Sequence, residues 1–442
     1  MSRITASAVL ALLTLVPGLA DAAAGPVNVS PAGHKAMAPE IAVAPDGTIF
    51  VLWLERTTRG EQIAAAGAAS AEGHTHQAEA DIWLARSVDG GASFSAPGRV
   101  NARDGAVWGF PVSKPRIGVS ASGTVHVFFP GNAVEPRTGK PIVLPMASRS
   151  RDGGRTFDPP HVLGAVPESD NSHLVSGLAN AECFGTMTLD ERGGAFAYWI
   201  DTRDMTTEQP NGKVFSAVST DDGATWSRDF EVLPADTCPC CQLTATTAAG
   251  RIYLGSRRVS PAGDRDSVVA ISSDRGRSFQ PRTAWGGAPW RIEGCPLKAT
   301  ALAVDGAAVY AAAFDGGATP PGARVSRSLD GGRSFQPALP LHPAAAVSDA
   351  PVLAVSNGVL IAAWHAKAGD GPRQVYVSRS LDRGGAFSPP ARVTAGDDSG
   401  GYPVLAVRGQ GVQLAWQQGD TIVSRHLAVD DPLFGLAPAP AP

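Results

Sequence analysis

An eight-residue pattern, Ser-x-Asp-x-Gly-x-Ser/Thr-aromatic, returns six times along this chain of 442 residues, and it restricts the fold more than any other feature. The copies are SVDGGASF from Ser87, SRDGGRTF from Ser150, STDDGATW from Ser219, SSDRGRSF from Ser272, SLDGGRSF from Ser328 and SLDRGGAF from Ser380. Only the last departs, with Ala386 in the hydroxyl slot. The residue types have a local reason. A short carboxylate accepts backbone N–H bonds within a tight turn, Gly allows positive φ, and the aromatic ring plugs between sheets. Asp89, Asp152, Asp221, Asp274, Asp330 and Asp382 are therefore read as turn fasteners, because six identical sites do not all carry out chemistry or bind calcium.

The box aspartates are 63, 69, 53, 56 and 52 residues apart, which suits one four-stranded antiparallel sheet per repeat with variable loops, the blade of a propeller. Fifty Gly and 36 Pro point the same way, toward many short strands and turns. Alternating strands precede the boxes, as in Ile82-Trp83-Leu84-Ala85-Arg86, and strand pairs joined by a Gly turn precede those, as in EIAVAPDGTIFVLWLE from Glu40. Seven such inner pairs begin near Pro39, Pro115, Cys183, Cys240, Pro296, Pro351 and Pro403. The fold class expected is an all-β propeller of seven four-stranded blades, with six blades as the alternative. The seventh lacks a box and an outer strand. The segment from Gly25 supplies that strand and closes the ring, leaving no unpaired edge. Trp53, Trp199, Trp364 and Trp416 recur near second-strand ends and are expected to pack between blades.

Arg3, the apolar run from Ile4 to Val16, Pro17-Gly18 and Ala20-Asp21-Ala22 read as an export signal over residues 1–22. The propeller is assigned to 26–430 and an Ala/Pro tail to 431–442. The apolar run is too short to span a membrane, and a net charge of -4 argues against nucleic acid as a partner. The Ala/Gly/Pro/Arg-rich composition suggests a bacterial periplasmic or secreted monomer.

The boxes resemble those of the Asp-box, or BNR-repeat, propellers of the sialidase-like superfamily, and the resemblance covers nearly all of the chain after residue 25. It implies boxes on one face and ligands at the opposite mouth. It also implies an Arg-Ile-Pro segment in the first blade, further carboxylate-binding arginines, an Asp acid/base and a Tyr nucleophile supported by Glu. Tyr402 and Glu182 are the candidates for nucleophile and partner. The first-blade segment APEIAV has no Arg, and the nearest string is Pro115-Arg116-Ile117 in another blade, so enzymatic activity as a sialidase-like glycoside hydrolase stays open.

If inner strands begin at the mouth, three consecutive blades deliver five cysteines there: Cys183, then Cys238, Cys240 and Cys241 in DTCPCCQL, then Cys295. Disulfides between neighbouring blades are one expectation for an exported protein, although an odd number leaves one thiol over. A copper or zinc site is the other, since clustered thiolates suit soft metals, with His74 and His76 of EGHTHQAE as further ligands. Arg116, Arg203, Arg257 and Arg258 lie near strand ends at the same mouth and would recognise a small anionic or glycan ligand. The functional expectation is a propeller that binds a soft metal at its mouth. A glycan hydrolase and a protein-binding scaffold with disulfide-clamped loops are the alternatives.

Overall fold

A computed structural model describes residues 25–69, 78–166, 182–292, 296–345, 347–396 and 398–435. Its strands form seven four-stranded antiparallel units. The inner strands are Ala36–Val43, Arg116–Val119, Cys183–Leu189, Thr244–Ala248, Thr300–Asp305, Val347–Ser356 and Gly400–Arg408. Each packs against the next and the last against the first, so the ring is complete and the all-β propeller expectation holds. Closure comes from Val27–Asn28, which pairs antiparallel with Thr421–Ala428 as the outer strand of the seventh blade (Val27 opposite Ser424). The third and fourth sheets are joined by one pairing, Thr237 opposite Arg258.

The boxes explain why each third strand turns where it does. In all six, the Ser Oγ accepts the N–H of the box Gly at 2.8–2.9 Å and donates to the Asp Oδ1 at 2.7–2.8 Å. The same Oδ1 accepts the N–H four residues on, and in the first five boxes Oδ2 accepts that residue's hydroxyl. The residue after Asp and the Gly are both left-handed, as in Arg275 (φ 60°) and Gly276 (φ 78°). A Cβ on Gly276 would also lie 2.5 Å from the Tyr198 hydroxyl. The box rings then enter the core, Phe279 against Tyr198 at 5.8 Å being one case.

The four tryptophans are fully buried, and in three blades the indole N–H donates two residues on: Trp53 to Glu55 (2.7 Å), Trp199 to Asp201 (3.2 Å) and Trp416 to Gln418 (3.2 Å). One helix was not foreseen. Thr58–Ala68 opens the insertion of the first blade, capped by the Thr57 hydroxyl, which accepts from the Gly60 N–H at 3.0 Å.

Hydrogen bonds from the box hydroxyls and amides hold the carboxyls of Asp89, Asp221 and Asp274 down at about 2. Depressed carboxyls stabilise the fold above their unfolded pKa, and that contribution disappears as pH falls through the folded value. Melting temperature measured by circular dichroism is therefore expected to drop between about pH 4 and pH 2. Ser272 is buried and serves both the Gly276 N–H and Asp274, so Ser272→Ala should cost about 1–3 kcal/mol in denaturant unfolding at pH 7.

Candidate functional site

The inner strands begin around a central cavity of about 1240 Å³, to which every blade contributes: Glu40, Arg116, Cys183, Thr244, Thr300, Val352 and Val404, in blade order. The strand starts are kinked. Ala38, Phe184, Leu297, Ala350 and Tyr402 all have left-handed backbones with φ between 49° and 54°. In the first, sixth and seventh blades the kinked residue precedes Pro39, Pro351 and Pro403, inside register breaks that fall between Met37 and Glu40, Asp349 and Val352, and Gly401 and Val404. Proline has no N–H to leave unpaired at a bulge, and a bulge re-aims the side chains beside it. A left-handed non-glycine residue costs roughly 1–2 kcal/mol, and five of the ten among the described residues stand at the mouth.

In the fourth blade the turn 238–242 stands ahead of the inner strand. The Cys238 N–H donates to the Arg257 carbonyl (2.8 Å), and the buried Gln242 amide donates to the carbonyls of Lys114 (2.8 Å) and Gly185 (3.1 Å), so the turn is fixed to three blades. This brings three sulfurs together. Cys238 Sγ lies 3.7 Å from Cys240 Sγ and 3.4 Å from Cys241 Sγ, and all three lie within 4.8 Å of one another. All are buried, with Trp108, Phe184, Leu233 and Leu243 in the surrounding apolar cluster. Cys240 and Cys183 border the cavity. S–H bonds from Cys240 and Cys241 pull the Cys238 thiol well below its ordinary pKa, whereas burial pushes Cys241 up to about 12. Burial, reinforced by Glu182 and Asp201, raises Cys183.

Charged groups also reach the cavity. Glu40 is paired to Lys114 (3.2 Å) and Arg116 (2.7 Å), and Arg116 also donates to the Leu243 carbonyl at 3.2 Å. Burial works against ionisation of Glu40, but Lys114 and Arg116 outweigh it and hold its carboxyl below the usual range. Burial lowers Lys114 to about 8, with Glu40 opposing. Across the cavity Lys298 pairs with Asp349, and Arg373 lies over the Tyr402 ring (4.7 Å) and donates to its hydroxyl (3.3 Å). Burial brings His365 down to about 4, consistent with a neutral ring whose Nδ1 accepts the Tyr402 N–H at 3.1 Å.

No family model matches the sequence, and no curated protein does either. Solved structures do. The chain is similar to an α-L-arabinofuranosidase of Fusarium graminearum, with TM-score 0.52 and 12% identity over 92% of this chain and 99% of that one. It is similar to an α-L-arabinanase of Penicillium chrysogenum, with TM-score 0.50 and 12% identity over 93% and 99%. A Hadza microbial sialidase gives TM-score 0.46 and 16% identity over 80% and 74%. The chain has a β-propeller fold built on Asp-box turns.

In this propeller, Tyr402 and Arg116 do reach the cavity, as do Cys183 and Cys240. Glu182 does not join Tyr402: it is buried in the third blade, 3.5 Å from Arg203, and does not line the cavity. Arg203 is held at Asp201 (2.6 Å) and Asp229 (2.5 Å), with Phe215 under its guanidinium at 4.4 Å. Arg257 donates to the Phe314 carbonyl (3.1 Å) beside Trp290, and Arg258 pairs with Asp266. Arg203, Arg257 and Arg258, expected to bind ligand, do not line this cavity. Loop-end arginines look alike in sequence whether they face the channel or a neighbouring strand. Cys295, His74 and His76 lie outside the described residues. None of the four described cysteines has a partner at the roughly 2.05 Å of a disulfide bond. Sequence reading missed Lys114, Gln242, Lys298, His365 and Arg373, which carry no motif and reach the site only through the ring.

Because Cys240 borders the cavity while Cys238 is fully buried and Cys241 nearly so, iodoacetamide added to the native protein should label Cys240 before either neighbour. Peptide mapping by mass spectrometry checks the order, and simultaneous labelling of all three would contradict it.

Proposed function

We propose that this chain binds one soft metal ion, copper(I) or zinc, through Cys238, Cys240 and Cys241, in the bacterial periplasm or exterior to which residues 1–22 would direct it. The observation that carries the reading is the spacing of the three sulfurs, 3.4 and 3.7 Å from Cys238 to its neighbours. A tetrahedral thiolate site with metal–sulfur bonds of about 2.3 Å has sulfur–sulfur edges of ~3.8 Å. Little rearrangement separates the two. Binding would displace the remaining thiol protons, and Arg257 and Arg265, both close enough to favour the thiolates, would offset the charge. The pinned turn spares the ion the entropy of gathering its ligands.

Titration of the reduced protein against a competing chelator, with metal counted per chain, tests this. One equivalent of copper(I) or zinc is expected, with affinity reduced at least about tenfold in Cys238→Ser and Cys241→Ser, as for removal of a ligand or its support. Equal binding by a variant lacking all three thiols would end the reading.

A second reading is favoured by Tyr402, whose strained backbone and Arg373 contact set a phenol at the cavity: a glycan ligand, or its hydrolysis, at the same mouth. The names of the similar structures, an arabinofuranosidase and an arabinanase, support the ligand class. The distance of Glu182 from this place weighs against a Tyr–Glu nucleophile. Release of a chromophore from aryl sialosides or arabinosides, lost in Tyr402→Phe, is the outcome that would establish turnover.

A further inference from the structure

The cavity has two chemically unlike walls. Cys183, Met187, Met205 and Cys240 place sulfur on the side of the third and fourth blades. Arg56, Lys114, Arg116, Lys298 and Arg373 place positive charge around the remainder, against two carboxylates among the described residues, Glu40 and Asp349. Both carboxylates are already engaged, by Lys114 with Arg116 and by Lys298. Among the described residues Arg373 has no carboxylate partner, and its Nε is buried without a hydrogen bond, as is that of Arg116. The two walls are also tied together, since Gln242 of the thiol turn bonds the Lys114 carbonyl and Arg116 bonds the carbonyl of Leu243.

A bare metal cation approaching Cys240 through this mouth meets a field of its own sign. An anion carrying the metal does not. We propose that the soft metal reaches the three-cysteine turn as a complex with an anionic low-molecular-weight thiol, whose carboxylates are held by Arg116 and Arg373 while Cys240 takes over the metal. The proposal rests on the metal reading given above and deepens it. The transfer is a ligand exchange with no change of oxidation state. A Cys240 sulfur–copper(I) bond forms, a carrier sulfur–copper(I) bond breaks, and the Cys240 proton leaves on the departing carrier thiolate. Cys238 and Cys241 replace the remaining carrier ligands in the same way. A cavity of about 1240 Å³ is larger than the roughly 300–1,000 Å³ typical of small-molecule sites, so a peptide-sized carrier fits.

The test is the rate at which the whole reduced protein takes up copper(I) from three donors: its complexes with glutathione (anionic), 2-mercaptoethanol (neutral) and cysteamine (cationic). Uptake from the glutathione complex is expected to be about tenfold faster than from the neutral one, with cysteamine slowest, as electrostatic steering requires. High salt should compress the three rates to within about twofold, a measurement that needs no variant. Arg373→Gln and Arg116→Gln should each reduce the glutathione-to-mercaptoethanol rate ratio. Equal rates from all three donors in the unaltered protein, or cysteamine fastest, would overturn the anionic carrier while leaving the metal site standing. No uptake from any donor would overturn both.

Discussion

Everything at the mouth depends on a two-residue strand. Val27–Asn28 lies along Thr421–Ala428, and the contact is extended by the Val29 N–H donating to the Ile422 carbonyl (2.8 Å), the Ile422 N–H to Ser30 Oγ (2.8 Å) and the Ala36 N–H to the Asp420 carbonyl (2.9 Å). Without it the seventh sheet has an open edge. With it, seven strand starts converge on one channel, and side chains hundreds of residues apart, such as Glu40 and Tyr402, line one cavity.

The two faces of the ring divide the work. On one, identical hydrogen-bonded turns repeat with little variation from blade to blade. On the other, bulges and left-handed residues give each strand start its own direction, and the inserted segments differ in length and content. Regularity on the box face fixes where each blade stands, so that irregularity at the mouth has a rigid base. Five strained residues at one rim are tolerable because the surrounding sheets hold them in place.

The fold was legible because its signal is local and repeated: Ser, Asp, Gly and an aromatic residue within eight positions dictate one turn, and six copies dictate six blades. The seventh could be counted from paired strands alone, and the N-terminal segment was recognisable as its missing edge. The site was legible only in part. Cys238, Cys240 and Cys241 are neighbours in sequence, so their meeting needed no tertiary knowledge. Arg203, Arg257 and Arg258 could not be placed from sequence because a strand-end arginine can turn toward Asp229, Phe314 or Asp266 as readily as into the channel. Lys114 and Arg373 became site residues through the curvature of the ring, which no local pattern records. The helix Thr58–Ala68 was hidden by its Ala- and Gly-rich composition, which reads equally as loop.

The pairing of the first strand with the last also sets an order of events. The sheet that locks the ring cannot form until the residues of Thr421–Ala428 have been synthesised, whereas the cysteine turn lies near the middle of the chain. For that interval the turn has its own blade but not a closed channel around it, and contacts of such long sequence separation are slow to form. Cys240, which borders the cavity, thus stands in a half-built channel until the last blade is in place.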